Sequence, residues 1–268
     1  MSLISPQQLR ERLVGAGLLI IDARLRDEYE AGHIPGARHL DLYDYLVERS
    51  DPAGLEETRA YLTRLFASAG VSGDEEVVLY DATTGMRGAR SVWFLEYLGH
   101  PRVRFLEGGF QAWRAAGGPI SRDAPAAPRP VAFAVQPRPE TLAACDYVAT
   151  RLDRPDVVIL DIRSEGEHKG TEKADCCPRA GRIPGSLWLG WGRLIDPEGR
   201  FPDGEQARRL LADAGVTPEK EIIVYCHRGA RAANTYLALK DLGYPRVRNF
   251  IGSWHEWSRR PDLPADCG

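Results

Sequence analysis

The chain has 268 residues, 43% hydrophobic and 27% charged, with a formal net charge of -3. That length suits one large domain or two ordinary ones, and the composition is that of a globular chain. The faint negative balance gives no electrostatic case for nucleic acid, and no apolar run approaches the ~20 residues of a membrane helix.

In chain order, the first apolar run is LVGAGLLII, residues 13–21. It imitates the core of a signal peptide. DARLRDEYEAGH follows at once, placing acidic residues where a small-residue cleavage site should lie, so the run reads as structure. LLIID, VVLY, VVILD and IIVY are runs of branched residues suited to strands covered on both faces. GARAANTYLALKDLG, residues 229–243, has apolar residues at helical spacing (Ala233, Leu237, Ala238, Leu242) and ends at Gly243, a natural C-terminal cap. Strand and helix alternating in this way predict α/β units, each a small parallel sheet with helices on both faces.

The organising feature is an internal repeat. ASAGVSGDEEVVLYDATTG lies beside ADAGVTPEKEIIVYCHRG, and YLGHPRVRFLEGGFQAW beside DLGYPRVRNFIGSWHEW. Upstream, Asp22-Ala23-Arg24 matches Asp161-Ile162-Arg163, and Ile34-Pro35-Gly36 matches Ile183-Pro184-Gly185. Between the copies, six prolines from Pro119 to Pro139 mark a semi-rigid connector. The division expected is a first domain at 1–122, a linker at 123–139 and a second domain at 140–268.

Five cysteines, at 145, 176, 177, 226 and 267, form an odd set without metal-type CxxC pairs. A chain this long buries its own core and has little need of disulfides, which points to a reducing cytoplasm. Cys226 stands out because it ends the IIVY run and opens CHRGAR. A thiol is a nucleophile only as thiolate, and the free value of ~8.5 must fall for use near neutrality. A helix beginning at about 229–233 offers unpaired N–H groups and a favourable dipole. Arg228 and Arg231, with His227 when protonated, add positive charge, and Gly229 permits a tight turn that faces several amides to one point.

The D-x-R strand ends, the GHIPGA and GRIPGS loops, the strand ending in Cys226 and the LGY…V…F..G…W tail together resemble the tandem-domain rhodanese sulfurtransferases. The resemblance covers nearly the whole chain. It implies two rhodanese-like domains, with a catalytic cysteine in the second and a degenerate first copy; Asp81 stands where the second half has Cys226. Related cysteine phosphatases have a C-x5-R loop, whereas Arg231 completes only C-x4-R and Ala232 takes the longer loop's arginine position. The short loop favours sulfur over phosphate and disfavours a phosphatase or arsenate reductase. Basic loops in the family go with thiosulfate, and small neutral ones with 3-mercaptopyruvate, so CHRGAR implies thiosulfate. A non-enzymatic binding module is the third class, and the retained Cys226 counts against it.

The implied mechanism is double displacement through a Cys226 persulfide, with no metal and no organic cofactor. The partners implied are a small anionic sulfur donor and a thiol or cyanide acceptor, a thioredoxin-like protein among the former kind of acceptor. The donor is expected to meet His227, Arg228, Gly229, Ala230, Arg231 and Arg182. Family members often end a stretch like DIRSEGE with a substrate-binding arginine, but here that position is Glu167. Asp22, Arg24, Asp161 and Arg163 are expected to form structural ion pairs, and Trp113 and Trp257 to pack in cores. Cys176 and Cys177 lie in HKGTEKADCCPRAG, an insert of the second half alone. They are read as loop residues, although adjacent thiols could resolve a persulfide or sense oxidation. Cys145 is expected in the core, and Cys267 in a disordered end.

Overall fold

A computed structural model describes residues 2–13, 15, 17–128 and 131–267. Val14 and Ala16 of the first apolar run, and Arg129 and Pro130 of the linker, lie outside the described residues, as do Met1 and Gly268. Two compact units are present. The first comprises residues 1–45, 58–138 and 197–201; the second comprises 46–57, 139–196 and 202–268. The segments 46–57 and 197–201 thus belong to the unit that chain order alone would not assign them.

The first unit runs β1 (Ser2–Ile4), α1 (Pro6–Arg12), β2 (Leu18–Asp22), α2 (Arg26–Ala31), β3 (Arg38–His39), α3 (Pro52–Ser68, which begins in the second unit's segment), β4 (Glu76–Tyr80), α4 (Met86–Tyr97), β5 (Val103–Leu106) and α5 (Gly109–Ala115). All strand pairs are parallel, in the order β1-β5-β4-β2-β3. The second unit repeats the plan with β6 (Leu142–Ala143), α6 (Cys145–Ala149), β7 (Val157–Asp161), α7 (Glu165–Lys169), β8 (Leu187–Trp188), α8 (Gly204–Asp213), β9 (Glu221–Tyr225), α9 (Ala230–Asp241), β10 (Val247–Phe250) and α10 (Ser253–Trp257). Its parallel order is β6-β10-β9-β7-β8.

In each sheet the chain first steps outward to the far edge and then returns. Because parallel crossovers are right-handed, the outward and returning helices fall on opposite faces. Burial agrees with this: β2, β4, β7 and β9 are buried at every residue after the first, so both sets of alternating side chains are covered. One face of the first sheet packs Ile20, Val78 and Tyr80 against Leu9, Phe110 and Trp113. Its counterpart packs Ile159, Ile223 and Tyr225 against Cys145, Val148, Trp254 and Trp257.

The repeat extends to single hydrogen bonds. Trp113 Nε1 donates to the Pro119 carbonyl (2.9 Å) and Trp257 Nε1 to that of Pro264 (2.8 Å), each indole being fully buried. Each D-x-R arginine makes a fork to its own aspartate, Arg24 to Asp22 at 2.6 Å and Arg163 to Asp161 at 2.7 Å. Tyr80 and Tyr225 donate to those same aspartates. The expected structural ion pairs and core tryptophans are therefore present. Cys145 is buried, as expected. The end of the chain is different: Asp266 and Arg182 exchange two main-chain bonds, and Cys267 Sγ lies 3.6 Å from the Ala180 carbonyl, so the expected disordered end is pinned.

Candidate active site

β9 is the middle strand of the second sheet, and Cys226 leaves its C-terminal end. Ligands in open α/β sheets bind at this edge, where a strand hands over to a helix. Only Cys226, His227, Arg228 and Gly229 separate β9 from α9. Gly229 has φ 82, the left-handed region, and an added Cβ would meet the Ile251 carbonyl at 2.7 Å. This turn aims the Gly229 N–H at Cys226 Sγ, 3.1 Å away, at the start of α9. Such a donor on a helix N-terminus favours a sulfur anion. Ala230 opens α9 and is buried beside it.

A second element closes the other side. The first turn of α10 donates two main-chain bonds to the loop, Trp254 N to the Cys226 carbonyl (3.0 Å) and His255 N to that of His227 (2.9 Å). Ser253, at the start of α10, has φ 51, the only positive φ among the described non-glycine residues. Its hydroxyl accepts from Cys226 N (3.1 Å), donates to the Phe250 carbonyl (2.7 Å) and stands 3.9 Å from Cys226 Sγ. A serine with left-handed backbone held against Cys226 Sγ was not foreseen from sequence. The signal lay in the repeat: the first half has Gly109 at this place, with φ 58.

The charges differ from the sequence reading. Burial, aided by the charge of Arg228, pulls the His227 imidazole down to about 4, so near neutrality it adds no positive charge. Its Nε2 lies 3.1 Å from Cys176 Sγ. Arg228 is exposed. Arg231, in the first turn of α9, makes two bonds to Glu167 (2.9 and 3.1 Å). Burial pulls its pKa down, but the charges of Cys226 and Glu167 outweigh this and hold it up. Burial likewise pushes the Glu167 carboxyl up, and the Arg231 bonds more than offset it. Glu167 also closes a capping box with Ser164 at the start of α7. Arg182 sits with the C-terminal segment, its Nη1 donating to the His168 carbonyl (3.3 Å).

The first unit supplies a contrast at the same place. Asp81 follows β4, and its carboxylate accepts from the amides of Ala82 (2.7 Å), Arg87 (3.0 Å) and Gly88 (3.2 Å). Phe110 N and Gln111 N donate to the carbonyls of Asp81 and Ala82, as Trp254 and His255 do in the second unit. The amide cradle is therefore kept and filled by a fixed carboxylate. A cavity of about 810 Å³ lies in this unit, lined in part by Arg24, Arg114 and Arg122, so size alone does not mark the thiol site. His33 is buried and bonds inside its own unit, to the carbonyls of Tyr29 and Asp123.

The model of the rhodanese-like domain matches the chain twice, over residues 5–116 and 144–260. The chain belongs to the rhodanese-like family. It is 36% identical over 264 residues to the thiosulfate sulfurtransferase of Azotobacter vinelandii, covering 98% of this chain and 96% of that relative. To the thiosulfate sulfurtransferase of Pseudomonas aeruginosa it is 34% identical, with the same coverage. A sulfur carrier protein, TtuD of Thermus thermophilus, is 34% identical over 90% of this chain and 87% of its own. Among solved structures, the anaerobic ergothioneine biosynthesis enzyme of Chlorobium limicola superposes with TM-score 0.87 at 25% identity. It covers 99% of this rhodanese-like chain and 70% of its own. Among the described residues, no helix is long and apolar enough to cross a membrane.

Proposed function

We propose that this rhodanese-like protein is a thiosulfate sulfurtransferase whose sulfur carrier is Cys226. The observation that carries the reading is the Gly229 N–H at 3.1 Å from Cys226 Sγ, at the joint of β9 and α9, in a chain 36% identical to a thiosulfate sulfurtransferase. The Cys226 thiolate attacks the outer sulfur of thiosulfate and a new S–S bond forms. The old S–S bond breaks with its electron pair leaving on sulfite. Cyanide or an acceptor thiolate then attacks the outer sulfur of the persulfide, and the pair of the cleaved bond returns to Cys226 as thiolate. Charge balances in both halves, so no external oxidant or reductant is needed.

The loop residues have separable roles in this reading. The Gly229 amide, at the opening of α9 before Ala230, holds the sulfur anion. Exposed Arg228 draws in the dianionic donor, and Arg231 keeps a cation near Cys226 although Glu167 offsets much of its charge. His227 acts as a neutral hydrogen-bonding group, and Arg182 as a more distant contributor to the positive field. With Cys226 only 1% exposed, a compact donor is favoured over a bulky one. By the sequence repeat the domains are 1–122 and 140–268 joined by 123–139, although segments 46–57 and 197–201 belong to the opposite compact units and 123–138 to the first. The first domain is catalytically silent because a carboxylate cannot accept sulfur. The acceptor is cyanide or a thiol, a thioredoxin-like protein among the thiols, and the compartment is the cytoplasm.

The test is mass spectrometry of the intact protein after incubation with thiosulfate and, separately, with 3-mercaptopyruvate. One added sulfur atom on the Cys226 peptide with thiosulfate, absent in Cys226→Ser, is the expected result. Turnover of a phosphate ester with no sulfur gained from either donor would overturn the reading.

A further inference from the structure

The insert carried only by the second half brings side chains to the outer side of the strand-end loop. Cys176 Sγ lies 3.1 Å from His227 Nε2, and the next residue, Cys177, is buried against the core. His255, from α10, is 2% exposed, and its ring centroid is 6.2 Å from that of His227. One ligand atom from each of Cys176, Cys177, His227 and His255 lies within 4.8 Å of all the others. CxxC spacing could not display this set, because the two histidines lie far along the chain from the adjacent Cys176 and Cys177 and meet them only through the loop after β9 and through α10.

An independent observation concerns the same imidazole. His255 Nδ1 is buried with no hydrogen-bond partner. The other ring nitrogen, Nε2, is 3.2 Å from Glu48 Oε2. A carboxylate only accepts, so Nε2 carries the proton and Nδ1 presents a lone pair. A carboxylate fixing one nitrogen of a histidine while the other is left buried with its lone pair unused is the arrangement that orients metal-ligating imidazoles. A bare pair of redox-active thiols gives no reason for that lone pair.

We propose that Cys176, Cys177, His227 and His255 form a tetrahedral zinc site on the flank of the sulfur-transfer loop, with Glu48 as the positioning residue behind His255. Two thiolates and two imidazoles are a zinc donor set, and the absence of oxygen donors from it disfavours magnesium and calcium. On binding, the two thiols release their protons to solvent as two Zn–S bonds form, with no change of oxidation state. Cys226 is outside the set. Zinc would therefore fasten the insert to the loop at the residue after Cys226 without consuming the sulfur carrier.

The test uses the reduced full-length protein titrated with Co(II), then with Zn(II). The expected result is one equivalent of tetrahedral, thiolate-ligated cobalt by its absorption, displaced by zinc. In competition with a chromophoric chelator, Cys176→Ser lowers zinc affinity by about tenfold or more, and Glu48→Ala by about tenfold. Cys226→Ser keeps the cobalt spectrum. Cys176 and Glu48 are both exposed, so their variants fold, and circular dichroism verifies it. An octahedral cobalt spectrum, unchanged zinc affinity in Cys176→Ser, or loss of the spectrum in Cys226→Ser would each overturn the proposal.

Discussion

Glu167 holds Arg231 by two bonds of 2.9 and 3.1 Å in the first turn of the helix that starts beside Cys226. The arginine in the first turn of α9 is thus already partnered, by a residue on α7, while Arg228, nearer in sequence to Cys226, is exposed. Replacing Glu167 with Gln keeps a capping-box residue on α7 but removes the charge that offsets Arg231. Both side chains are largely buried, so the gain in positive potential at the site is ~1 kcal/mol, about fivefold in affinity. Glu167→Gln should lower the KM for thiosulfate by about that factor in steady-state assays. A KM that stays constant would show that Arg231 does not act on the donor.

Ser253 holds a left-handed backbone, and its hydroxyl accepts the Cys226 amide. Ser253→Gly relieves the backbone and Ser253→Ala does not, while both delete the hydroxyl. The glycine variant should be the more stable by ~1–2 kcal/mol. Thermal unfolding should place its Tm above that of the alanine variant, and both should transfer sulfur more slowly than the parent protein. Full activity in either variant would mean that the hydroxyl serves folding alone.

Asp81 accepts from the Ala82 amide and from two amides in the first turn of α4, those of Arg87 and Gly88, so it satisfies helix-start donors as well as occupying the cradle. Asp81→Ala should cost about 1–2 kcal/mol in denaturant unfolding. The rate of sulfur transfer per Cys226 should stay at the parent value. A large fall in rate with folding intact would give the first half a catalytic part.

Asp161 is fully buried, and burial pushes its carboxyl up; bonds from His168 and the Arg163 pair more than offset this and hold it below the usual carboxylate range. Its native pKa is below the unfolded value of ~3.9, so the unfolded chain binds the proton more readily. Its contribution to stability is present above about pH 4 and is lost as pH falls through the native value. Asp161→Asn leaves Arg163 buried without its counter-charge and should cost about 3–5 kcal/mol at neutral pH. Below pH 4, the Tm of the variant should fall less steeply with acid than that of the parent. Equal slopes would remove Asp161 from the acid response.

Much of the frame was legible because the repeat supplied two readings of each element. Strands such as VVLY and IIVY, the paired Trp113 and Trp257, and the exchange of Cys226 for Asp81 are all local or repeat-equivalent facts. What escaped depends on contacts between distant parts of the chain. Glu167 meets Arg231 across 64 residues, and Cys176 meets His227 across 51. The neutral state of His227 depends on burial, which composition does not reveal. The crossing of segment 46–57 into the second unit rests on Ser50, whose hydroxyl meets Glu256 and the Cys145 amide. The φ of Ser253 was hidden because serine seldom adopts it, although glycine in the twin sequence was a hint.

Sulfur transfer also sets a requirement of volume on the cradle that Asp81 and Cys226 occupy. In the proposed reaction each turnover adds one sulfur atom beside Gly229 and then removes it, so the floor of the second unit must accommodate two sizes of occupant. The first unit never meets that demand: a Cβ on Gly85 would lie 2.4 Å from Asp81 Oδ2, a fit with nothing left over. Duplication thus left one socket free to close tightly on a permanent occupant while its twin had to keep room for a load that comes and goes.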